Sequence, residues 1–105
     1  MPTVTFRDET ATGRPVAEAW EAPGLPDRMT VRELIRLRVR EEVARHNAHP
    51  MGGWERQAEI AEHAFLANGF FVLAGERQVE ELDEVVDLTE VHDLVFIRLV
   101  PLAGG

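Results

Sequence analysis

The amino-acid sequence predicts an α+β fold, and three observations support this. A segment near the N-terminus alternates polar and apolar residues, as strands that are buried on one face do. A capped amphipathic helix follows it, and the last third of the chain returns to apolar runs rich in β-branched and aromatic residues. Because strands flank the helix within 105 residues, we expect them to share the core of a single domain.

The N-terminal strands form the first predicted unit. Residues 3–7 alternate with period two, which directs Val4 and Phe6 toward the core. Residues 8–15 contain Asp, Thr, Gly and Pro, the composition of a turn. Residues 16–22 then read as a second strand, so the N-terminus predicts a β-hairpin.

The main helix is predicted to begin after Thr30. Glu33 follows three residues later, and this spacing is typical of a capping box. Arginines on the opposite side alternate with glutamates, which favours a solvated, self-paired face over an anion-binding stripe. The predicted buried face consists of Val31, Leu34, Ile35, Val39 and Val43.

An inserted loop and a second helix follow. Residues 46–53 read as a loop, and His46 and His49 within it lack the further ligands that a zinc site needs, so we predict no metal site. Residues 54–68 predict a helix, with Gly69 as its left-handed terminator. The helix's predicted buried stripe is Trp54, Ala58, Ala61 and Phe65.

The C-terminal third predicts a strand at residues 70–74 and a minor strand at residues 78–79. The acidic residues 80–87 read as a loop or a short turn of helix. Residues 93–100 are the strongest strand pattern in the chain, because their apolar run is nearly continuous.

The last strand also suggests a surface patch. If Arg98 faces water, Val95, Ile97 and Leu99 face the core, and Phe96 lies beside Arg98 on the outer face. Together with an outward Val72, Phe96 and Arg98 form a candidate patch. A register change of one residue would invert this assignment.

Composition excludes several classes of function. The net charge of −8 argues against binding to nucleic acids or to anionic membranes. The absence of cysteine excludes disulfides, thiolate metal sites and a cysteine nucleophile. We find no glycine-rich phosphate loop, catalytic constellation, membrane span or signal peptide, and therefore expect a monomeric, cytoplasmic protein that is not an enzyme.

Two stretches carry a resemblance to a known family. Phe-Val-Leu-Ala-Gly-Glu at 71–76 looks like the strand and turn after the helix of the ubiquitin-like superfamily, and the chain ends in Leu-Ala-Gly-Gly at 102–105. The order of elements resembles the β-grasp fold of that superfamily, a mixed sheet packed on one main helix. The resemblance implies one domain over residues 1–100, with an inserted loop and helix at about 48–68 and a flexible tail at 101–105.

The resemblance also implies a function for the tail. In that superfamily a partner activating enzyme uses ATP and Mg²⁺ to adenylate the terminal carboxylate. Gly105 would supply the reacting carbonyl and Gly104 the slim approach, while Pro101, Leu102 and Ala103 would be gripped by the partner. No residue of this chain would be catalytic and no cofactor would be bound. The further partners implied are a conjugating enzyme, a deconjugating peptidase and a target protein.

Three functions stay open at this point. A protein modifier is favoured by the absence of lysine, because a chain without ε-amines cannot be its own lysine acceptor. A sulfur carrier that forms a C-terminal thiocarboxylate is favoured by the ending, which is similar to prokaryotic carriers of the molybdopterin-synthase small-subunit type. A non-covalent β-grasp interaction module is the third. The neutral Val-Pro-Leu-Ala ending departs from the usual basic tails of modifiers.

Overall fold

A computed structural model describes residues 1–15, 18–46 and 53–98 and shows an α+β fold with a mixed five-stranded sheet and two helices. The described elements are β1 (Val4–Thr10), β2 (Trp20–Ala22), β3 (Arg28–Thr30), α1 (Val31–His46), α2 (Trp54–Leu66), β4 (Phe70–Ala74), β5 (Arg77–Val79), β6 (Val85–Asp87) and β7 (Asp93–Arg98).

The five-stranded sheet has the order β2-β1-β7-β4-β5. β1 and β7 run parallel, with Phe6 opposite Leu94, and the other neighbouring pairs run antiparallel. β3 and β6 form a separate two-stranded antiparallel sheet. The last described strand is therefore the central strand of the main sheet.

The main sheet buries one face against the helices. Even-numbered positions of β1, β2, β4 and β7 point to this face, as does Val79 of β5, and α1 and α2 contribute buried residues to the same core cluster. Five aromatic rings form a chain across it, with neighbouring centroids 4.4 to 6.0 Å apart. In spatial order from β2 to α2, these rings belong to Trp20, Phe6, Phe96, Phe70 and Phe65.

The capping box predicted at the start of α1 is confirmed. The Glu33 carboxylate accepts a hydrogen bond from the Thr30 backbone N–H at 2.8 Å, and the Thr30 hydroxyl oxygen accepts one from the Glu33 N–H at 3.1 Å. Backbone N–H groups of Val31 and Arg32 donate to carbonyl oxygens in the 82–84 segment, both at 2.9 Å. The first turn of α1 is thus fixed both locally and by a distant loop.

Replacing Thr30 by alanine should lower the free energy of unfolding by about 1 kcal/mol, because the N–H of Glu33 loses its acceptor. Serine at the same position keeps the hydroxyl and should cost less than about half of that. Urea unfolding of the two variants beside the parent measures the difference. Equal losses for alanine and serine would show that the hydroxyl does not stabilise this helix start.

The arginine face of α1 is paired, but its main partners come from other elements. Arg36 donates to the Glu62 carboxylate of α2 at 2.9 Å, and Arg32 lies 3.6 Å from the same carboxylate and 2.5 Å from Asp83. The Glu62 side chain is only 13% exposed, so this ion pair joins the two helices at a site that is largely shielded from solvent. The face is therefore an interhelical and loop-anchoring surface, which argues against an anion-binding stripe.

The end of α2 corrects one prediction. Asn68, not Gly69, has the left-handed conformation, with φ 62°. The N–H of Asn68 donates to the Phe65 carbonyl and the N–H of Gly69 to the Ala64 carbonyl, at 3.1 and 2.7 Å, which is the Schellman arrangement. Gly69 is favoured for a different reason: a Cβ there would lie 3.1 Å from the Ala64 carbonyl oxygen, a tight contact that the helix end would have to relieve by a small shift.

The remaining strand predictions are confirmed with changed bounds. β1 extends to Thr10, so the predicted turn begins later. The second strand is shorter than predicted: it covers Trp20–Ala22, residues 18 and 19 are not strand, and residues 16 and 17 lie outside the described residues. β4 and β5 form a hairpin whose two-residue turn starts at Gly75 with φ 65°. The acidic segment predicted as a loop or helical turn instead contains β6, whose central Val86 is buried.

Candidate functional site

The predicted tail, Pro101, Leu102, Ala103, Gly104 and Gly105, lies outside the described residues, as do positions 99 and 100. Its roles stay predictions. The strand that leads to it is described, and that strand ends at Arg98 between β1 and β4, opposite Thr10 and Phe70. Arg98, the last described residue, therefore lies in the middle of the sheet.

The predicted surface patch is wrong in two of its three residues. Val72 and Phe96 are 1% and 4% exposed and belong to the core. Arg98 shares their side of the sheet but lies at the end of β7, where its side chain is exposed. The helix-facing side of β7 carries Leu94 and Phe96, so the register is the inverse of the one predicted.

The inverted register creates an apolar block on the opposite, open face of the sheet. Phe71 lies directly across from Ile97, and Leu73 directly across from Val95, on the antiparallel strands β4 and β7. All four side chains are partly exposed, and none belongs to the buried core cluster. No residue at an odd-numbered position of β1, β2, β4 or β7 is buried. On β5 the turn shifts the alternation, so that the odd-numbered Val79 is buried opposite Val72. We call these four residues the open-face block.

Polar and charged residues lie beside the open-face block on its β1 and β2 side. Glu9 lies beside Ile97 on β1, and Glu21 is opposite Thr5 at the outer edge of the sheet. Arg7 lies beside Val95, but its guanidinium pairs with the Asp93 carboxylate at 3.2 Å. The carboxylates of Glu9 and Glu21 consequently give this side of the block a net negative charge.

A partly buried ion pair supports β1 from the helix side. Arg38 of α1 donates two hydrogen bonds to the Asp8 carboxylate, at 3.0 and 2.5 Å, and its guanidinium carbon lies 5.1 Å from the Phe96 ring centroid. Burial alone would lower the pKa of Arg38, but the bonds and charge of Asp8, together with Glu42, outweigh it and raise that pKa. The guanidinium is therefore permanently charged and ties α1 to the strand beside β7.

A shallow groove of about 520 Å³ lies between β3, β6 and the start of α1. Its carboxylates already have partners within the chain: Glu33 in the capping box and Asp87 in bonds from Thr89, which lower the pKa of Asp87. Among the described residues, no three His, Asp or Glu side chains come together as a metal-binding group. The groove therefore presents little unsatisfied chemistry to a ligand.

Sequence reasoning missed Phe71 and Leu73 as surface residues and assigned Val95 and Ile97 to the core. Thr5 and Arg7 of β1 are polar and lie on the open face. They indicate which face of β7 is exposed only when the parallel pairing of β1 with β7 is known. The position of the open-face block thus follows from how the strands pair and not from the residue pattern within any one strand.

Comparisons with known proteins found no matching family model, no matching curated protein and no matching solved structure. Within the described parts of the chain, neither helix is long and apolar enough to cross a membrane.

Proposed function

We propose that the chain is a β-grasp protein and a ubiquitin-like modifier whose C-terminal Gly105 carboxylate is activated by a partner enzyme. Gly105 acts as the C-terminal residue either as synthesised or after trimming of a longer precursor. The protein itself catalyses no step. It works in the cytoplasm as a monomer, together with activating and conjugating enzymes, a deconjugating peptidase and a target protein.

The observation that carries the proposal is the strand order. A central parallel pair of the first and last strands, flanked by β2 on one side and a β4–β5 hairpin on the other, is compatible with a β-grasp sheet. α1 packs across its buried face, and α2 is the inserted helix. In this arrangement, the central strand β7 runs directly into the seven residues that end in Gly-Gly.

The residue types of the tail suit carboxylate activation. Glycine lacks a Cβ, so Gly104 and Gly105 can enter a narrow channel, and residues 101–105 reach about 16 Å when extended. The carboxylate oxygen attacks the α-phosphate of ATP, pyrophosphate leaves, and an acyl-adenylate forms. A thiolate of the partner then displaces AMP, and an amine of the target displaces that thiolate to form an amide.

The composition of the chain agrees with a reaction in which partner proteins supply the thiolates and the amine. It contains no cysteine, so every thioester in the sequence of reactions uses a sulfur atom of a partner. It also contains no lysine, so a second copy cannot be attached to an ε-amine of the first. Conjugates through side chains would therefore be single additions.

The second candidate function is a sulfur carrier. The ending Leu-Val-Pro-Leu-Ala-Gly-Gly at 99–105 is similar to that of such carriers, and the first chemical step is the same. The acyl-adenylate would be attacked by a sulfur donor, which leaves a thiocarboxylate at Gly105. The two functions share the adenylation step and differ in the nucleophile that displaces AMP and in the product that results.

Intact mass spectrometry distinguishes the two. The purified protein is incubated with the candidate activating enzyme of the same genome, ATP and Mg²⁺, with and without a cell extract. Covalent adducts on other proteins support the modifier. A mass gain that equals replacement of one oxygen by sulfur supports the carrier.

The control is a chain that ends at Ala103. It lacks Gly104 and Gly105 but keeps every described residue of the fold. Activation that proceeds equally well with this control would refute both tail functions.

A further inference from the structure

We propose that the cleft between α1 and α2 binds a small aromatic carboxylate, a ring the size of benzene that carries one carboxylate on a short arm. The binding site is the Trp54 pocket, whose described lining is Arg40, Val43, Ala44 and Trp54. These residues belong to the two helices and not to the strand that leads to the tail. The site is therefore independent of the proposed activation of Gly105.

The size of the pocket is the first argument. Its volume is about 250 Å³. A protein cavity of about 150 Å³ holds one benzene molecule, so the Trp54 pocket has room for a ring together with a short acidic arm. Val43 and Trp54 are partly buried and pack against the hydrophobic core, so the fold holds two walls of the pocket in place.

The apolar walls are the second argument. Val43, Ala44 and the indole ring of Trp54 form them. Trp54 makes no ring pair with another aromatic side chain of the described residues, unlike the five rings that cross the core. A second ring packs favourably on an indole in offset or edge-to-face geometry. The walls therefore favour an aromatic group over an aliphatic one of the same size.

The guanidinium of Arg40 is the third argument. Arg32, Arg36 and Arg40 lie four residues apart on α1, and the first two have carboxylate partners. Arg40 is exposed and pairs with no carboxylate of the described residues, and its guanidinium carbon lies 5.8 Å from the centroid of the Trp54 ring. A guanidinium over a ring keeps its in-plane N–H donors for other partners. A carboxylate at the mouth of the pocket can accept two of them at once.

The charges beside the pocket favour an occupant with a single negative charge. Glu42 and Glu55 are exposed and adjoin the lining residues Val43 and Trp54 in sequence, and the whole chain has a net charge of −8. One guanidinium balances one carboxylate, whereas the second charge of a phosphate ester would be repelled. A protein segment laid across the cleft would have to cover the two glutamates, and charged residues are depleted at the centre of interfaces.

Nuclear magnetic resonance titration of the ¹⁵N-labelled full chain with phenylacetate tests the proposal. We expect saturable shifts of the Trp54 indole N–H and of the amides of Arg40 and Ala44. Phenylacetamide keeps the ring without the charge, and it should bind about tenfold more weakly because the charge-assisted hydrogen bonds are lost. Acetate, which lacks the ring, and phenyl phosphate, which carries the second charge, should each also bind at least about tenfold more weakly.

Two variants locate the site. Arg40→Gln should weaken binding of phenylacetate to the level of phenylacetamide and leave phenylacetamide binding unchanged. Ala44→Leu places a good helix former at an exposed position and fills the pocket, so it should abolish binding of both compounds. The matched control is Arg14→Gln, which removes an exposed arginine between β1 and β2 and should change neither affinity. The amide spectrum without ligand shows that each variant is folded.

Equal binding of phenylacetate and phenylacetamide, no saturable shift, or shifts centred away from Trp54 would overturn the proposal. So would tighter binding of acetate or phenyl phosphate, or binding that survives both Arg40→Gln and Ala44→Leu. The chain that ends at Ala103 should bind phenylacetate as the full chain does. Loss of tail activation and loss of binding in the Trp54 pocket are therefore separate results.

Discussion

Replacing Phe96 by alanine is expected to lower the free energy of unfolding by about 3–5 kcal/mol. Phe96 lies on the central strand and is 4% exposed, and its ring contacts those of Phe6 and Phe70 at centroid distances of 6.0 Å. The substitution interrupts the aromatic chain at its midpoint and leaves a cavity that the neighbouring rings cannot fill. Since small domains are stable by about 5–15 kcal/mol, this loss is a large part of the total.

Thermal and urea unfolding measure the effect, with Ile97→Ala as the matched control. Ile97 is the next residue of β7 but lies on the open face, partly exposed, so its truncation should cost about 1 kcal/mol. At about 4 °C per kcal/mol, Phe96→Ala should lower Tm by about 12 °C or more. A greater loss for Ile97→Ala than for Phe96→Ala would mean that the sequence-based register is right and the structural one wrong.

Elements with a clear local signal were predicted well from the sequence. The capping box of Thr30 and Glu33 defines the start of α1 without any tertiary information, because its hydrogen bonds join residues three apart. The alternation in β1 likewise identifies Val4 and Phe6 as core residues. These features depend on the period and chemistry of a few consecutive residues.

The face of β7 could not be read in the same way. Leu94, Val95, Phe96 and Ile97 are all apolar, so the strand contains no alternation from which to choose a face. Arg98 suggested a choice, but it lies at the end of the strand, where a side chain on the helix side still reaches water. The pairings with β1 and β4, which are tertiary contacts, determine which face each residue of β7 occupies.

Other differences also arise from tertiary contacts. β6 forms in an acidic segment because β3 pairs with it and Val86 fills the core. The left-handed residue after α2 is Asn68, and Gly69 follows it with its N–H bonded to the Ala64 carbonyl. Local residue preferences predict neither feature.

Breaking the ion pair of Asp8 and Arg38 is the second large expected effect. The two side chains are 16% and 14% exposed, and the guanidinium binds both carboxylate oxygens in a bidentate arrangement. Removing one member leaves a charge in a site that water reaches poorly, which costs more than the pair itself contributes. The pair also ties α1 to β1 at the position where Asp8 lies beside Phe96 of the central strand.

Arg38→Met is therefore expected to lower the free energy of unfolding by about 2–3 kcal/mol, below the 3–5 kcal/mol typical of fully buried pairs because some exposure remains. Combining it with Asp8→Asn should cost less than the sum of the two single changes, because the double variant leaves no unpaired charge in the site. The control is Arg7→Met, whose partner Asp93 is about half exposed, and we expect a loss of at most about 1 kcal/mol. Equal losses for Arg38→Met and Arg7→Met, or strict additivity in the double variant, would show that the Asp8 pair contributes no more than a surface contact. In that case the position of β1 beside the central strand would depend on the strand pairing and the aromatic core.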